Sequence, residues 1–236
     1  MTKFIAIISG KGGVGKTTTT LNIGKALVDL GKRVILLDAN LTTPNLAIKL
    51  GYLDPEGTLN KFLRNEKTLK EITYAHESGV SIIPSSPSLT EYHSTTEKDL
   101  IEIFEHLDET ADFVLVDAPS GVGPELEKVL KHCDESLIVI NPNMSSVMDA
   151  LKTIHLAQSH DNIIPGIVLN KSHRGRHELN QQEIEEMLEH QILANIKDDR
   201  KIRKATHFNM PLNYLYPRSR SAKQFRAVAE YLCFHR

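Results

Sequence analysis

Gly10-Lys11-Gly12-Gly13-Val14-Gly15-Lys16-Thr17 fits the spacing GxxxxGKT, a loop whose backbone N–H groups wrap the phosphates of a nucleotide. Glycines are needed there because side chains would block close approach and forbid the φ > 0 conformations of so tight a loop. In that geometry Lys16 reaches the β- and γ-phosphates, and the Thr17 hydroxyl ligates Mg²⁺. The flanks agree. Phe4-Ile5-Ala6-Ile7-Ile8 reads as a buried strand, and Ile23, Ala26, Leu27 and Leu30 mark one face of a helix ended by Gly31.

Beyond Gly31 the chain alternates strand and helix. Residues 34–37, 80–83, 113–116, 136–140, 163–169 and 192–196 read as strands, the second of them stopped by Pro84. A helix is expected to start at Thr43-Pro44, with proline in its first turn, and short helices over residues 58–63 and 68–72. Another is expected from Thr96, with apolar Leu100, Ile101, Phe104 and Leu107. Residues 125–131, 145–156, 181–189 and 219–232 complete the helices, while 85–96 and 172–180 read as polar loops. Such alternation predicts an α/β fold: a P-loop NTPase with a doubly wound, mostly parallel twisted sheet of about seven or eight strands and helices on both faces. No linker, repeat or low-complexity tract interrupts it, so a single P-loop domain over residues 1–236 is expected.

With 236 residues, 40% of them hydrophobic, the chain can bury a sizeable core. Its net charge of −2 says nothing about partners, although the distribution of that charge does. Cys133 and Cys233 lie far apart without a CxxC, so neither a disulfide framework nor a zinc site is signalled. No apolar run approaches the roughly 18 residues of a membrane span, and no cleavable signal opens the chain. The cytoplasm is the expected compartment.

Ligands of open α/β sheets bind outside the C-terminal ends of the strands. The glycine loop, Asp38, Asp117, Asn141 and Asn170 each fall just after a strand, so five strand ends converge on one edge. Asp117 suits the second carboxylate on the Mg²⁺ side of such a site, acting directly or through a ligand water. Taken alone it serves equally as a helix N-cap. Gly121 leaves room for a backbone N–H to face the γ-phosphate, and an ordinary loop glycine is the other reading.

On the residues 11–18 (Lys-Gly-Gly-Val-Gly-Lys-Thr-Thr), Asp117-Ala118-Pro119-Ser120-Gly121, Asn141-Pro142 and Val168-Leu169-Asn170-Lys171, the chain resembles the MinD/ParA family of deviant-Walker ATPases. The resemblance runs the whole length and is closest to the archaeal MinD-like members. Lys11 is that family's signature lysine, absent from ordinary P-loops; taken bare, it is a solvated loop cation. The resemblance implies an ATP-dependent homodimer in which Lys11 crosses to the other subunit's nucleotide. An arginine finger supplied in trans acts similarly, though lysine offers a point charge rather than a planar fork. Gly12, Gly13, Gly15, Lys16, Thr17 and Thr18 would hold the phosphates of ATP or ADP, within a loop that Gly10 and Val14 complete. Asp38 and Asp117 would flank Mg²⁺, and Asn170 would read the adenine edge. Members of the family set an Ile-Pro-Glu-Asp-like turn against the base. Ile196-Lys197-Asp198-Asp199 fills that place without the proline, so its base contact is expected from the backbone alone.

One departure bears on chemistry. The family usually has Asp-x-Asp after its second strand, the later Asp positioning the attacking water, whereas this chain has Asp38-Ala39-Asn40. Asn40 can accept a hydrogen bond from water but cannot take a proton. Losing general-base assistance costs about 10²–10⁴-fold, yet some GTPases position water with a neutral glutamine amide. A slow ATPase is expected.

Bacterial MinD proteins end in an amphipathic membrane-binding helix that follows the last helix of the fold. Here Ala222, Phe225, Ala229 and Leu232 are spaced as a core-facing stripe of the fold's own last helix, so direct membrane binding is not expected. A protein partner that stimulates hydrolysis is. Residues 197–226 carry nine cations against Asp198 and Asp199, a net +7 that could bind DNA phosphates without sequence preference, as ParA-like partition ATPases do. A solvated basic face, balanced by the acidic helix over 183–189, is the favoured reading. Iron–sulfur carriers on this fold need paired or interfacial cysteines, which Cys133 and Cys233 do not offer.

Overall fold

Eight strands form one sheet: β1 (Lys3–Ile8), β2 (Val34–Asp38), β3 (Tyr74–Ala75), β4 (Ser81–Ile83), β5 (Phe113–Asp117), β6 (Glu135–Ile140), β7 (Ile167–Ser172) and β8 (Ile192–Lys197). The computed structural model describes residues 1–95, 99–173, 175 and 178–234. Strand order is β3-β4-β2-β5-β1-β6-β7-β8, parallel throughout except that β3 runs antiparallel to β4. The order reverses about β1, which places the end of β1 at the crevice where such sheets bind ligands.

The helices are α1 (Lys16–Asp29), α2 (Leu46–Lys49), α3 (Leu59–Leu63), α4 (Leu69–Ile72), α5 (Leu89–His93) and α6 (Ile101–Leu107). They continue with α7 (Pro124–Leu130), α8 (Met144–Ser159), α9 (Gln181–Leu188), α10 (Arg200–His207), α11 (Leu212–Leu215) and α12 (Arg220–Phe234). Side chains of β1 alternate between two cores. Phe4, Ala6 and Ile8 pack under α6, α7, α8 and α9; Ile5 and Ile7 pack under α1, α2, α11 and α12. Cover on both faces is why the central strands run apolar without alternation. The stripe of α12 is core as expected: Ala222, Phe225, Ala229 and Leu232 are all buried.

Several boundaries differ from the sequence reading, each for a local reason. The helix expected at Thr43-Pro44 begins at Leu46, because the Asp38 carboxylate accepts from the N–H groups of Asn45 and Leu46 and so caps it from a distance. Within the stretch read as a polar loop, α5 forms with Ser88 accepting from the Glu91 N–H, and it buries none of its residues. The strand expected over 163–169 is shifted to Ile167–Ser172; Ile163 makes only an isolated bridge to Glu135, and Pro165-Gly166 separates it from β7. Asn143 rather than Ser145 caps α8, accepting from the Ser146 N–H. The basic segment after β8 is the helix α10, capped by Asp199. Thr96, expected to start a helix, lies outside the described residues.

Candidate nucleotide site

The glycine loop leaves β1 and enters α1 through Gly15, whose φ of 110° is open to glycine alone at little cost. A Cβ there would also meet the Asn170 Nδ2 at 2.1 Å. Side chains from neighbouring strand ends pin the loop's carbonyls outward. Asn170 Nδ2 donates to the Val14 carbonyl at 2.8 Å, Asn141 Nδ2 to the same oxygen at 3.3 Å, and Lys171 Nζ to the Gly13 carbonyl at 2.6 Å. The N–H groups of residues 12–18 have no hydrogen-bond acceptor among the described residues. Carbonyls held out and N–H groups left over make an anion cradle at the N-terminus of a 14-residue helix.

Lys16 is buried, and its ammonium donates to the Ser120 hydroxyl. Burial lowers its pKa, while Asp117 and Asp38 oppose that shift. Thr17 Oγ1 donates to Asp117 Oδ2 at 2.6 Å, and Thr20 Oγ1 lies 3.4 Å from Asp117 Oδ1. Asp38 and Asp117 face each other in register on β2 and β5, and both are buried. Burial raises the pKa of Asp38, and the charge of Asp117 raises it further. Burial also raises Asp117, against the Thr17 hydroxyl and the Lys16 ammonium. Two such carboxylates resist being ionised together unless a cation joins them. That arrangement fits Mg²⁺, with Thr17 and Asp117 able to hold it and Asp38 behind. Among the described residues no cluster of three acidic, His or Cys side chains could hold a metal unaided. A Mg²⁺ bound chiefly through phosphates needs no such cluster.

Asp38 itself is turned to its own loop: it accepts from the N–H of Asn40 at 3.2 Å, Asn45 at 3.1 Å and Leu46 at 3.0 Å. The Asn40 amide is tied to Thr43, donating to its carbonyl at 2.9 Å and accepting from its N–H at 3.2 Å. The Gly121 N–H donates to the Ser9 carbonyl at 3.0 Å. The group beside Lys16 is Ser120. That serine lies inside the Asp117–Gly121 motif, but the sequence reading gives it no role of its own.

On the other flank a cavity of about 410 Å³ is lined by Gly15, Thr18, Asn170, Lys197, Asp198 and Asp199, among others. The base-side residues expected from the sequence therefore do meet. The side chains of both aspartates are engaged: Asp198 pairs with Arg203 at 2.6 Å, and Asp199 accepts from the Lys201 N–H and from Ser221. Neither carboxylate is left free to face that cavity. Lys11 Nζ lies 3.3 Å from Ser145 Oγ on α8.

A β-loop-α phosphate cradle at a switch point, with a buried lysine and a threonine-carboxylate pair, defines a P-loop NTPase. Over residues 1–233 the chain matches the ParA family model, that of the NUBPL iron-transfer P-loop NTPases. It is 33% identical over 225 residues to an ATP-binding protein of Methanocaldococcus jannaschii, covering 95% of this chain and 85% of the relative. The structure superposes on the cell division ATPase MinD of Pyrococcus furiosus with a TM-score of 0.93 at 32% identity, covering 98% of each chain. The septum site-determining protein MinD of Pyrococcus horikoshii, solved with Mg-ADP, gives a TM-score of 0.93 at 30% identity, covering 98% of this chain and 96% of that one. The chain belongs to the ParA family of P-loop NTPases, and its relatives include MinD.

Proposed function

We propose that the protein is an ATP-binding, slowly hydrolysing dimerisation switch of the MinD kind. It works as one unit over residues 1–236, in the cytoplasm, and positions cellular machinery such as a division site through a protein partner that stimulates hydrolysis. Lys11 carries this reading. Its ammonium reaches Ser145 rather than its own phosphate cradle, and Val122, Met144 and Met148 are exposed on the loops and helix around it. A second copy brought against that face supplies a triphosphate for Lys11 and cover for the apolar side chains. Residues 12–18 hold the phosphates of ATP or ADP, Thr17 and Asp117 hold Mg²⁺ with Asp38 behind them, and Asn170 meets the base. Mg²⁺, when bound, offsets phosphate charge at the Thr17 and Asp117 oxygens. Asn40 takes the place of the water-positioning carboxylate, so intrinsic turnover is expected well below about 1 s⁻¹.

Light scattering tests the switch: dimer with Mg-ATP, mostly monomer with Mg-ADP. A Lys11→Ala protein that dimerises and hydrolyses like the parent would remove the role in trans. No helix among the described residues is long and apolar enough to cross a membrane. Iron transfer is not part of this reading, since Cys133 is buried with its thiol pushed well up by that burial, and Cys133 and Cys233 are both free.

A second reading, a partition ATPase bound to non-specific DNA, draws on α10, where Arg200, Arg203 and Lys204 are exposed. Arg203 is already paired with Asp198, and Arg226 with Glu230 at 3.1 Å. No salt-dependent binding of ATP-loaded protein to arbitrary duplex is expected at physiological salt; a clear shift in an electrophoretic assay would favour DNA.

A further inference from the structure

Lys49 ends α2, in Leu46-Ala47-Ile48-Lys49-Leu50, a stretch that otherwise holds only apolar residues. Leu46, Ala47 and Leu50 are buried, and Lys49 is half-buried between them and the cavity that Gly15 and Thr18 line. It enters that cavity from the β2 side of the sheet, whereas Lys171, Lys197 and Arg203 come from the β7–β8 side. Lys171 is spent on the Gly13 carbonyl and Arg203 on Asp198. The Lys49 ammonium has neither a hydrogen bond nor an ion pair among the described residues, although its backbone N–H bonds the Asn45 carbonyl. Burial lowers its pKa and Lys171 adds to that, while Asp117 opposes it through space. A half-buried ammonium without a partner is costly unless an anion joins it. The nearest anion-binding feature is the N–H cradle of residues 12–18, at its Thr18 end.

We propose that Lys49 is a nucleotide-binding residue, supplied in cis from α2, that contacts the phosphate next to the ribose. The assignment rests on the phosphate-loop reading of the same site. Lys16, at the inner end of the cradle beside Ser120 and Asp117, is placed for the outer phosphates. Lys49 shares its cavity with Thr18 and with the base-side residues, so it meets the α-phosphate, which ADP and ATP both carry.

Calorimetric titration of Lys49→Met with Mg-ADP and Mg-ATP tests this, methionine keeping the apolar stem and removing the charge. Affinity is expected to fall about tenfold for both nucleotides, with Lys49→Arg remaining within about threefold of the parent. The melting temperature of ligand-free Lys49→Met should stay level or rise, which a merely structural lysine would not allow. Unchanged affinity overturns the proposal, and so does a loss confined to Mg-ATP, which would place Lys49 at the γ-phosphate. A methionine variant that is destabilised and an arginine variant that binds no better also overturn it. A parent protein that binds neither nucleotide would instead sink the phosphate-loop reading beneath it.

Discussion

Two neighbouring loops open with an aspartate at the same register, Asp38 at the end of β2 and Asp117 at the end of β5, yet their carboxylates face different tasks. Asp38 gathers three N–H groups of its own loop and starts α2. Asp117 looks across to α1 and takes the hydroxyls of Thr17 and Thr20. One builds the wall of the candidate site, and the other faces the hydroxyl proposed to join it in holding Mg²⁺. Equal position on adjacent strands therefore does not mean equal role, and what separates them is the donor set that each loop brings within reach.

The largest expected effect breaks that comparison on the Asp117 side. Asp117→Ala should reduce Mg²⁺-dependent hydrolysis by about 10²–10³-fold, the usual cost of losing one electrostatic partner at a reacting site. Its thermal stability should hold, since the change also removes one of two buried like charges. Asp38→Ala should act on the fold first. It strands three N–H donors, a loss of about 3 kcal/mol, or roughly 10 °C in melting temperature for a chain of this size. Calorimetric melting of both variants decides the matter; an Asp38→Ala protein as stable as the parent would erase the distinction.

The comparison also marks what the sequence discloses. The cradle, Lys16, Thr17 and both aspartates are legible because each follows an apolar strand, and strand ends are where a parallel sheet gathers its ligands. The partners of those groups are less legible. Ser120 sits inside a motif that gives it no role of its own, and Lys49 reaches the cavity through tertiary placement that no local spacing announces. The same holds for the fold. Long apolar segments such as 113–116 and 136–140 declare themselves, whereas α5, which buries nothing, has no stripe to read. The two-residue β3 is likewise too short for any period.

A smaller effect concerns protons. Asp38 has a folded-state pKa above its unfolded value, which is about 3.9. The folded state therefore favours the protonated carboxyl. That contribution is full below about pH 4 and is lost as the pH rises through the raised value. Mg²⁺ with nucleotide supplies a cation in place of the proton, so its stabilisation of the protein should grow as the pH rises above the unfolded value toward the raised one. Asp117→Ala lifts the like charge and should flatten that growth relative to the parent. Comparing the two proteins at each pH cancels the nucleotide's own titration. Parallel profiles would mean that Asp117 does not set the protonation of Asp38.

The smallest expected change is Asn40→Asp, which asks whether the wall loop also has a chemical task. In the parent, Asn40 donates to the Thr43 carbonyl and accepts from the Thr43 N–H, closing a small turn beside Asp38. A carboxylate at 40 keeps the acceptor and loses the donor, setting a negative oxygen near the Thr43 carbonyl. That costs about 1 kcal/mol and loosens the turn, so residue 40 is freer to meet water than the amide is. It also restores an acceptor for a proton. Both changes act in one direction. Hydrolysis by preformed dimers in a single turnover should rise about tenfold, with nucleotide affinity unchanged because residue 40 makes no contact with the cradle. Faster turnover with unchanged affinity would give the Asp38–Leu46 loop a share in the chemistry proposed for Asp117. Equal rates for the two proteins would leave that loop purely structural.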